Sequence, residues 1–443
     1  MTLPPQTYRT TDMESMWQKT VTLPSFPALE EDIKTDVLVV GGGLAGILTA
    51  YKLRENGVNC VIAEKERICE KVSGNTTAKI TSQHGFCYGK ILKSNGFESA
   101  KMYLHANQQA LSEYEKLCKK IPCDFEKKDN FVYSLNDPDL IDEELKALWK
   151  IGCDAEFQDK LPLPFKPAGT IKFKNQAQFN PLKFVNGIVG DLKIYENTFV
   201  KHLDSNTAVT PGGKITFKKA VIATHFPIIN SHGLYFMKLY QHRSYVIALE
   251  NAADVNGMYV DENEKGLSFR NYENCLLLGG GSHKTGKKGE NWRELRDFAK
   301  INYPESKEIA HWATQDCMSL DGIPYIGPYC KGSKDLFVAT GFNKWGMTGS
   351  MVSAMLISDL ITRKENPYAK AFDPSRSVLK PQLFINGFES VKNLLTPTPN
   401  RCSHLGCALK WNGAEHTWDC ACHGSRFTES GKVLETPANK NLK

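Results

Sequence analysis

The sequence lacks long apolar runs and any strong charge of one sign. No apolar run approaches the ~18 residues that a membrane-spanning helix needs; the best candidates, 37–50 and 346–358, are interrupted by glycine, serine or threonine. The net charge of the 443 residues is only +6, which argues against a dedicated nucleic-acid-binding protein. Residues 1–30 lack the apolar core of an export signal. The sequence therefore predicts a cytoplasmic protein without a membrane span and without a nucleic-acid partner.

The composition is that of an ordinary folded protein. Hydrophobic residues make up 41% and charged residues 23%, which excludes disorder as the main state. At ~150 residues per domain, the length predicts about three units. Periodicity predicts strands over 35–40, 59–66, 255–260, 275–278 and 335–342, and helices over 97–120, 290–301 and 347–362.

Cysteines are numerous, and four of the 13 cluster near the C-terminus. The other nine are scattered without metal-ligand spacing, and burial as small apolar side chains accounts for them. Cytoplasmic cysteines are mostly reduced thiols or metal ligands. The clustered four need a chemical explanation; they are Cys402, Cys407, Cys420 and Cys422.

A glycine-rich turn separates the first predicted strand from a predicted helix. Gly41 permits a tight turn, Gly43 lets the backbone approach a pyrophosphate, and Gly46 lets the helix pack on the strand. The next strand carries Glu64, where an acid accepts hydrogen bonds from ribose hydroxyls. Strand, motif, helix, strand and acid in this order predict a dinucleotide site, with a chance glycine turn as the alternative. The motif itself does not choose between NAD and FAD.

Later segments resemble the flavin-dependent oxidoreductases of the D-amino-acid oxidase type, which include glycine oxidases. The resemblance covers about 36–376 and rests on the segments VSGNTTAKITSQHG, ENTFVKHL, KAVIATH, DGIPYIGP and ATGFNKWGMT. It implies an α/β fold: a Rossmann-like FAD-binding domain with an inserted antiparallel-sheet substrate domain, followed here by a small β-rich C-terminal unit. The segment 276–286 has glycines after a strand but no third glycine at the right spacing, so no second dinucleotide fold is predicted.

The resemblance implies which residues hold FAD. The pattern ENTFVKHL matches the family's strand on the adenine side, and His225 stands where glycine is common in the family. For Phe342 and Trp345, burial as ordinary core aromatics is the alternative. The helix that starts near Met347 would point its positive end at the pyrimidine edge of the flavin. The expected FAD-binding residues are Gly41, Gly43, Gly46, Glu64, Lys65, Ser73, Thr76, Thr77, Lys79, Val200, Ala223, Thr224, Gly341, Phe342, Trp345, Gly346, Met347 and Thr348.

The cysteine cluster forms two loops that each offer one thiolate and one imidazole. Cys402 and His404 lie in the first loop, and Cys420 and His423 lie in the second. Two thiolates and two imidazoles suit a Rieske-type [2Fe–2S] cluster, with its cysteines on one iron and its histidines on the other. A tetrahedral zinc site is the alternative, although zinc fingers usually pair like ligands. A ligand-free disulfide knot is a further alternative.

The patterns C-x-H-x-G-C and C-x-C-H-G-S closely resemble Rieske proteins. The resemblance implies a disulfide between Cys407 and Cys422, and it implies that Ser425 bonds a bridging sulfide. Ala421 departs from the usual proline. Only about 20 residues separate the linker from Cys402, so we expect a minimal unit that leans on the flavin region for its core. The expected divisions are a lead-in (1–34), the oxidoreductase region (35–376), a linker (377–388) and the Rieske-type unit (389–443).

The catalytic residues are less clearly marked. His84 and His225 flank flavin-contacting segments, although a structural role is the more common one for a histidine. Arg243 and Arg270 could bind a substrate carboxylate, with a solvated position on the sheet as the alternative.

These features together predict an FAD-dependent oxidoreductase. It would take hydride from a small molecule, for example an amine or an amino acid. The electrons would then pass through the cluster to an external acceptor. Two alternatives remain open: an electron-transfer protein without its own organic substrate, and a cluster that serves only as a sensor or structural staple.

Overall fold

A computed structural model describes residues 13–229, 233–263 and 265–442. The first 12 residues of the expected lead-in lie outside the described residues. The described helices are α1 (Met16–Thr20), α2 (Leu44–Glu55), α3 (Tyr88–Asn95), α4 (Phe97–Cys118), α5 (Pro138–Lys150), α6 (Pro181–Ile188), α7 (Tyr235–Lys238), α8 (Trp292–Asn302), α9 (Gly346–Ile361), α10 (Ala369–Phe372) and α11 (Pro381–Leu395).

Four sheets contain the described strands. The strands are β1 (Ile33–Lys34), β2 (Val37–Val40), β3 (Cys60–Ala63), β4 (Lys79–Ile80), β5 (Glu126–Ser134), β6 (Glu156–Gln158), β7 (Gly169–Gln178), β8 (Lys193–Tyr195), β9 (His202–Leu203), β10 (Thr207–Val209), β11 (Lys214–Thr216), β12 (Lys219–Ile222), β13 (Leu239–Glu250), β14 (Met258–Asp261), β15 (Ser268–Tyr272), β16 (Cys275–Lys284), β17 (Lys307–Ser319), β18 (Tyr325–Pro328), β19 (Leu336–Thr340), β20 (Leu409–Asn412), β21 (Thr417–Cys420), β22 (Arg426–Thr428) and β23 (Val433–Glu435).

A six-stranded sheet in the order β18-β19-β12-β2-β3-β8 forms the Rossmann-like layer. Five of its strands run parallel, and β18 adds an antiparallel edge. The side chains of β2 and β3 are buried throughout, as expected for strands covered on both faces. Helices α2 and α9 pack against each other beside this sheet. The predicted α/β fold is confirmed.

The second large sheet has nine strands and is mostly antiparallel. Its order is β17-β13-β16-β15-β14-β5-β7-β4, with β6 paired to β7. Long strands β13 and β17 form an extended ladder at one edge of the sheet, and among the described strands of this sheet only β14 and β5 pair in parallel. This sheet is the inserted domain that the resemblance implied. A smaller four-stranded sheet has the order β1-β11-β10-β9. In the chain, β1 directly precedes β2, and β9 to β11 lie between β8 and β12 of the six-stranded sheet.

Several predicted elements differ from the structure at their ends. The helices predicted over 97–120 and 347–362 are α4 and α9, and each is correct to within two residues at either end. The strand predicted from ENTFVKHL is wrong for most of its length, because only His202–Leu203 forms a ladder. The residues before it, 196–201, follow the carboxyl end of β8, where the Asn197 and Thr198 N–H groups donate to the carbonyl oxygens of Glu66 and Glu64.

The C-terminal unit is an antiparallel sheet in the order β20-β21-β22-β23. Its small core contains Leu409, Phe427 and Val433 together with the four clustered cysteines. Much of the expected linker, 377–388, is helical, because α11 begins at Pro381. The lead-in is also partly ordered: α1 places Trp17 in the core, where its indole N–H donates to the Thr76 carbonyl oxygen.

Candidate cofactor sites

The glycine turn connects β2 to the N-terminus of α2 with no room for side chains. Gly41 has a φ of +111°, and a Cβ there would lie 2.5 Å from the Ala223 carbonyl oxygen. A Cβ on Gly46 would lie 1.9 Å from the Gly41 carbonyl oxygen. The Leu44 N–H donates to the Ser73 hydroxyl at 2.9 Å. The α2 N-terminus is thereby held against the segment that the resemblance assigned to the pyrophosphate.

A cavity of about 930 Å³ opens in front of this turn. That volume lies at the upper end for small-molecule and cofactor sites. The expected FAD-binding residues line the cavity with three exceptions. Gly46 instead packs on Gly41, Gly341 packs against Leu239 and Ser319, and Thr348 donates to the Thr81 carbonyl oxygen.

Glu64 lies at the end of β3 and faces the cavity. Its carboxylate accepts the Gly42 N–H at 2.6 Å and the Glu66 N–H at 2.9 Å. Burial raises the pKa of Glu64, and these backbone donors oppose that rise. The acid is therefore fixed at the glycine turn, where a ribose would meet it.

Lys79 and Asp316 bring charge of both signs to the cavity wall. Lys79 donates to the Ser268 hydroxyl at 2.9 Å, and burial lowers its pKa to about 7, helped by the nearby Arg270 charge. Burial raises the pKa of Asp316, on β17, to about 6. Sequence reasoning missed Asp316 because it lies in a long strand without a motif.

His84 lies in the cavity wall as a positioned, neutral imidazole. Its Nε2–H donates to the Thr81 carbonyl oxygen at 2.7 Å, and Nδ1 lies 2.7 Å from the Tyr103 hydroxyl. Burial lowers the pKa of His84 to about 3. The ring stacks on Trp345 with centroids 4.8 Å apart. His84 is thus a support for Trp345 in the cavity wall.

Arg243 and Arg270 lie outside the cavity, contrary to the expectation that they bind substrate. Arg243 forms ion pairs with Glu415, in the turn between β20 and β21, and with Glu435 of β23. Arg270 is fully buried and donates to the carbonyl oxygens of Thr77 and Ala78 at 2.7 and 2.9 Å. Their partners are distant in the chain, so the sequence carried no signal of these contacts. Neither guanidinium faces the cavity.

The two cysteine–histidine loops meet at one end of the C-terminal sheet. Each loop closes on itself: the Gly406 N–H donates to the Cys402 carbonyl oxygen, and the Gly424 N–H donates to the Cys420 carbonyl oxygen, both at 2.9 Å. The rings of His404 and His423 are perpendicular, with centroids 5.0 Å apart. Burial lowers the pKa of both histidines to about 4, so both are neutral, which is the form that binds metal.

The two additional cysteines lie beside this ligand set. The Sγ atoms of Cys407, Cys420 and Cys422 lie within 4.8 Å of one another. Cys407 and Cys422 are not bonded to each other in this structure. Because their Sγ atoms lie close together, the implied disulfide stays a prediction. The Ser425 hydroxyl accepts the Ala438 N–H at 3.0 Å.

The histidine edge of these loops faces the flavin region. Phe226 is fully buried, and its ring meets the edges of His404 and His423 at centroid distances of 6.2 and 6.3 Å. The three residues before it, 223–225, line the large cavity. One backbone segment therefore touches both sites.

A pair of glutamines reinforces this junction. Gln241 donates to the His423 carbonyl oxygen at 2.7 Å, and Gln315 donates to the Gly424 carbonyl oxygen at 2.8 Å. The Gln241 side-chain oxygen in turn accepts from Gln315 at 2.7 Å and from His225 Nε2–H at 3.2 Å. Sequence reasoning missed both glutamines, because isolated residues on strands carry no motif.

Both cofactors fit these residues. The cavity has a dinucleotide's size, and the close-packed glycine turn brings the backbone of Gly41, Gly43 and Leu44 to its wall, where a pyrophosphate would bind. Two buried thiols and two neutral imidazoles in facing loops match the ligand set of a Rieske cluster. Cys402, His404, Cys420 and His423 would hold the cluster.

None of the helices in the described part of the chain combines the length and apolar character that a bilayer crossing demands.

Comparison with known proteins agrees with both sites. Residues 36–360 match the model of the FAD dependent oxidoreductases, and residues 378–443 match that of the Rieske [2Fe-2S] domain. The "Putative Rieske 2Fe-2S iron-sulfur protein YhfW" of Bacillus subtilis (strain 168) is 34% identical, and the match covers 97% of each chain.

Solved structures share the fold of the larger region. Glycine oxidase from Geobacillus kaustophilus matches with a TM-score of 0.66 at 19% identity, covering 78% of this chain and 99% of that one. L-proline dehydrogenase from P. horikoshii matches with a TM-score of 0.64 at 16% identity, covering 79% of this chain and 98% of that one. The chain therefore belongs to the FAD dependent oxidoreductase family and carries a C-terminal Rieske [2Fe-2S] domain.

Proposed function

We propose that this protein dehydrogenates a small amine or amino acid and passes the electrons through the Rieske cluster to an external acceptor. The observation that carries the proposal is the shared segment 223–226. His225 lines the FAD cavity, and the next residue, Phe226, contacts both histidines of the cluster site. Consecutive Cα atoms are only ~3.8 Å apart, so one short stretch of backbone separates the two sites.

The substrate class follows from the family and the cavity. The named structural neighbours include a glycine oxidase and an L-proline dehydrogenase, both of which act on amino acids. Lys79 and Asp316 supply a cation and an acid in the same cavity wall, which suits a zwitterionic substrate. Their charges would bind the two ends of such a substrate and orient its carbon–nitrogen bond.

The chain's own residues hold and shape the two sites. When bound, FAD accepts hydride and the cluster carries single electrons. The glycine turn and Glu64 bind the nucleotide end of the cofactor, and the N-terminus of α9 provides a positive end near its ring. His84 fixes Trp345 in the wall, and Gln241 and Gln315 hold the second ligand loop against the flavin region.

Anaerobic titration tests the proposal. The purified protein should contain one FAD, with about two iron and two acid-labile sulfide per chain. Glycine, sarcosine, proline and other small amines should be screened for bleaching of the flavin absorbance. One zinc per chain without sulfide, from cells grown with ample iron, would contradict the cluster. No bleaching by any amine, together with flavin reduction by a protein donor, would favour a pure electron carrier.

We further propose a cytoplasmic location and an external redox protein as the partner. Nine of the 13 cysteines are scattered without metal-ligand spacing, and a reducing compartment keeps such cysteines as thiols. Fractionation of the native host, with the chain followed by immunoblot, tests the location. Recovery in an exported fraction would contradict it.

A further inference from the structure

Helix α11 presents its apolar face outward. Phe384, Phe388 and Leu395 are 68%, 73% and 78% exposed. With Val391 they follow an i, i+4, i+7, i+11 spacing, so they share one face of the helix. The side chains that turn inward are polar: Asn386 and Asn393 are 5% and 6% exposed. This arrangement is the reverse of an ordinary amphipathic helix in a folded domain.

The polar face of α11 is attached to the body of the protein. Glu389 forms ion pairs with Lys284 and Lys287. The Ala408 N–H donates to the Asn393 carbonyl oxygen at 3.0 Å, which ties the helix to the C-terminal unit. These contacts fix the rotation of the helix, so the apolar face cannot turn inward without breaking them.

The apolar surface continues beyond α11. Helix α7 contacts α11 and exposes Met237, with Leu234 exposed at its start. Arg401 donates to the carbonyl oxygens of Leu394 and Gly406, which joins the end of α11 to the first ligand loop. Leu405, which directly precedes Gly406 in that loop, is exposed as well.

We propose that this face docks the protein on the surface of an anionic membrane. Apolar side chains that project from a helix, with basic residues at the rim, are the pattern of helices that lie in a bilayer interface. Lys380, Lys392 and Arg401 supply the basic rim. Glu389 is already neutralised by two lysines, so the surface carries a net positive charge that complements anionic headgroups.

Charge also argues against a second copy of this chain as the occupant. A two-fold interface places the same patch on both subunits. Lys380, Lys392 and Arg401 would then face like charges, with Glu389 committed to its own lysines. A flat lipid surface, in contrast, accepts protruding side chains without a matching groove. The start of α11 also lines the large cavity, through Lys380 just before the helix and Ile385 within it, so docking would set the cavity mouth beside the bilayer.

Vesicle co-sedimentation of the full-length holoprotein tests this proposal independently of the proposed function. Vesicles of phosphatidylcholine with phosphatidylglycerol should carry the protein into the pellet, and vesicles of phosphatidylcholine alone should carry less. The double variant Phe384→Ser/Phe388→Ser should bind at least about tenfold more weakly, because two large apolar side chains no longer enter the interface. Lys392→Glu should weaken binding to the anionic vesicles about fivefold or more.

Ile301→Ser is the matched control. Ile301 is 77% exposed on α8 and is not part of the surface formed by α7, α11 and Leu405. This variant should bind vesicles like the wild type, and flavin absorbance and circular dichroism should show that every variant is folded. Wild-type protein that stays in the supernatant with anionic vesicles would overturn the proposal. A dimer in light scattering that the double variant abolishes, without vesicle binding, would also overturn it and assign the face to a second copy.

Discussion

Gln241 connects the two cofactor sites at the scale of a single residue. Its amide donates to the carbonyl oxygens of His423 and Thr436 and accepts from Gln315 and His225. Gly424 leaves the room for this amide, because a Cβ there would lie 2.6 Å from the Gln241 Cβ. The carbonyl group of His423, a predicted cluster ligand, thus depends on a residue of the flavin region.

Gln241→Leu should disturb the cluster without releasing FAD. The change leaves several buried polar groups without partners, at a cost of ~1–3 kcal/mol each. We expect a shifted electron paramagnetic resonance (EPR) spectrum of the reduced cluster and an unchanged FAD content. The exposed Gln108→Leu serves as the control. An EPR spectrum identical to that of the wild type would contradict this role for Gln241.

Glu64→Ala should weaken FAD retention. A charge-assisted contact to a ribose is worth ~1.5–3 kcal/mol, so we expect FAD to dissociate about 10- to 100-fold more readily. Equilibrium dialysis followed by flavin fluorescence measures the loss. Glu55→Ala, at an exposed position on α2, should retain FAD. Retention by both variants alike would show that Glu64 does not bind the cofactor.

Elements formed by local sequence patterns are the predictable part of this protein. The turn at Gly41 and the loops around Cys402 and Cys420 each lie within a few consecutive residues, so their chemistry was readable in advance. The ion pair between Arg243 and Glu415 joins residues 172 positions apart, and no local pattern marks it. Helix α11 and its outward face were not predicted either, because the sequence pattern predicts a linker over 377–388 and α11 begins within it.

At the scale of elements, the packing of α2 on β2 depends on the absence of a side chain at Gly46. Gly46→Ala would place a methyl group 1.9 Å from the Gly41 carbonyl oxygen, so helix and turn must separate. We expect a loss of FAD and a free energy of unfolding lower by ~1–3 kcal/mol, as for overpacked cores. Urea unfolding measures the change. Gly190→Ala, where a Cβ meets no atom within 4 Å, should behave like the wild type; equal effects of both changes would refute the packing argument.

The whole molecule is held together by a buried charge network between the flavin region and the C-terminal unit. Glu415 accepts from Arg243, from Arg426 at 2.8 Å and from the Tyr245 hydroxyl at 2.9 Å. Burial would raise the pKa of Glu415, but Arg243 and Arg426 outweigh burial and hold that pKa at about 2. This network fixes the Rieske domain on the nine-stranded sheet.

Glu415→Gln should therefore destabilise the protein in a pH-dependent way. Breaking a buried ion pair costs ~3–5 kcal/mol. Because the folded pKa is depressed, the contribution of Glu415 is complete above its unfolded pKa of about 4.3 and is lost as pH falls toward 2. Urea unfolding at pH 7 and pH 4 should show a larger gap between wild type and variant at pH 7. The exposed Glu429→Gln is the control, and a gap that does not shrink at low pH would contradict the assignment.

Anaerobic stopped-flow reduction tests the central claim, that the FAD and Rieske sites act in series across the segment 223–226. Flavin reduced by substrate or by light should be followed by reduction of the cluster, seen in its visible absorbance and by EPR after rapid freezing. The variant Cys420→Ser should retain FAD and show flavin reduction alone. A wild-type cluster that stays oxidised while the flavin is fully reduced would contradict the claim and leave the cluster a structural or sensing role.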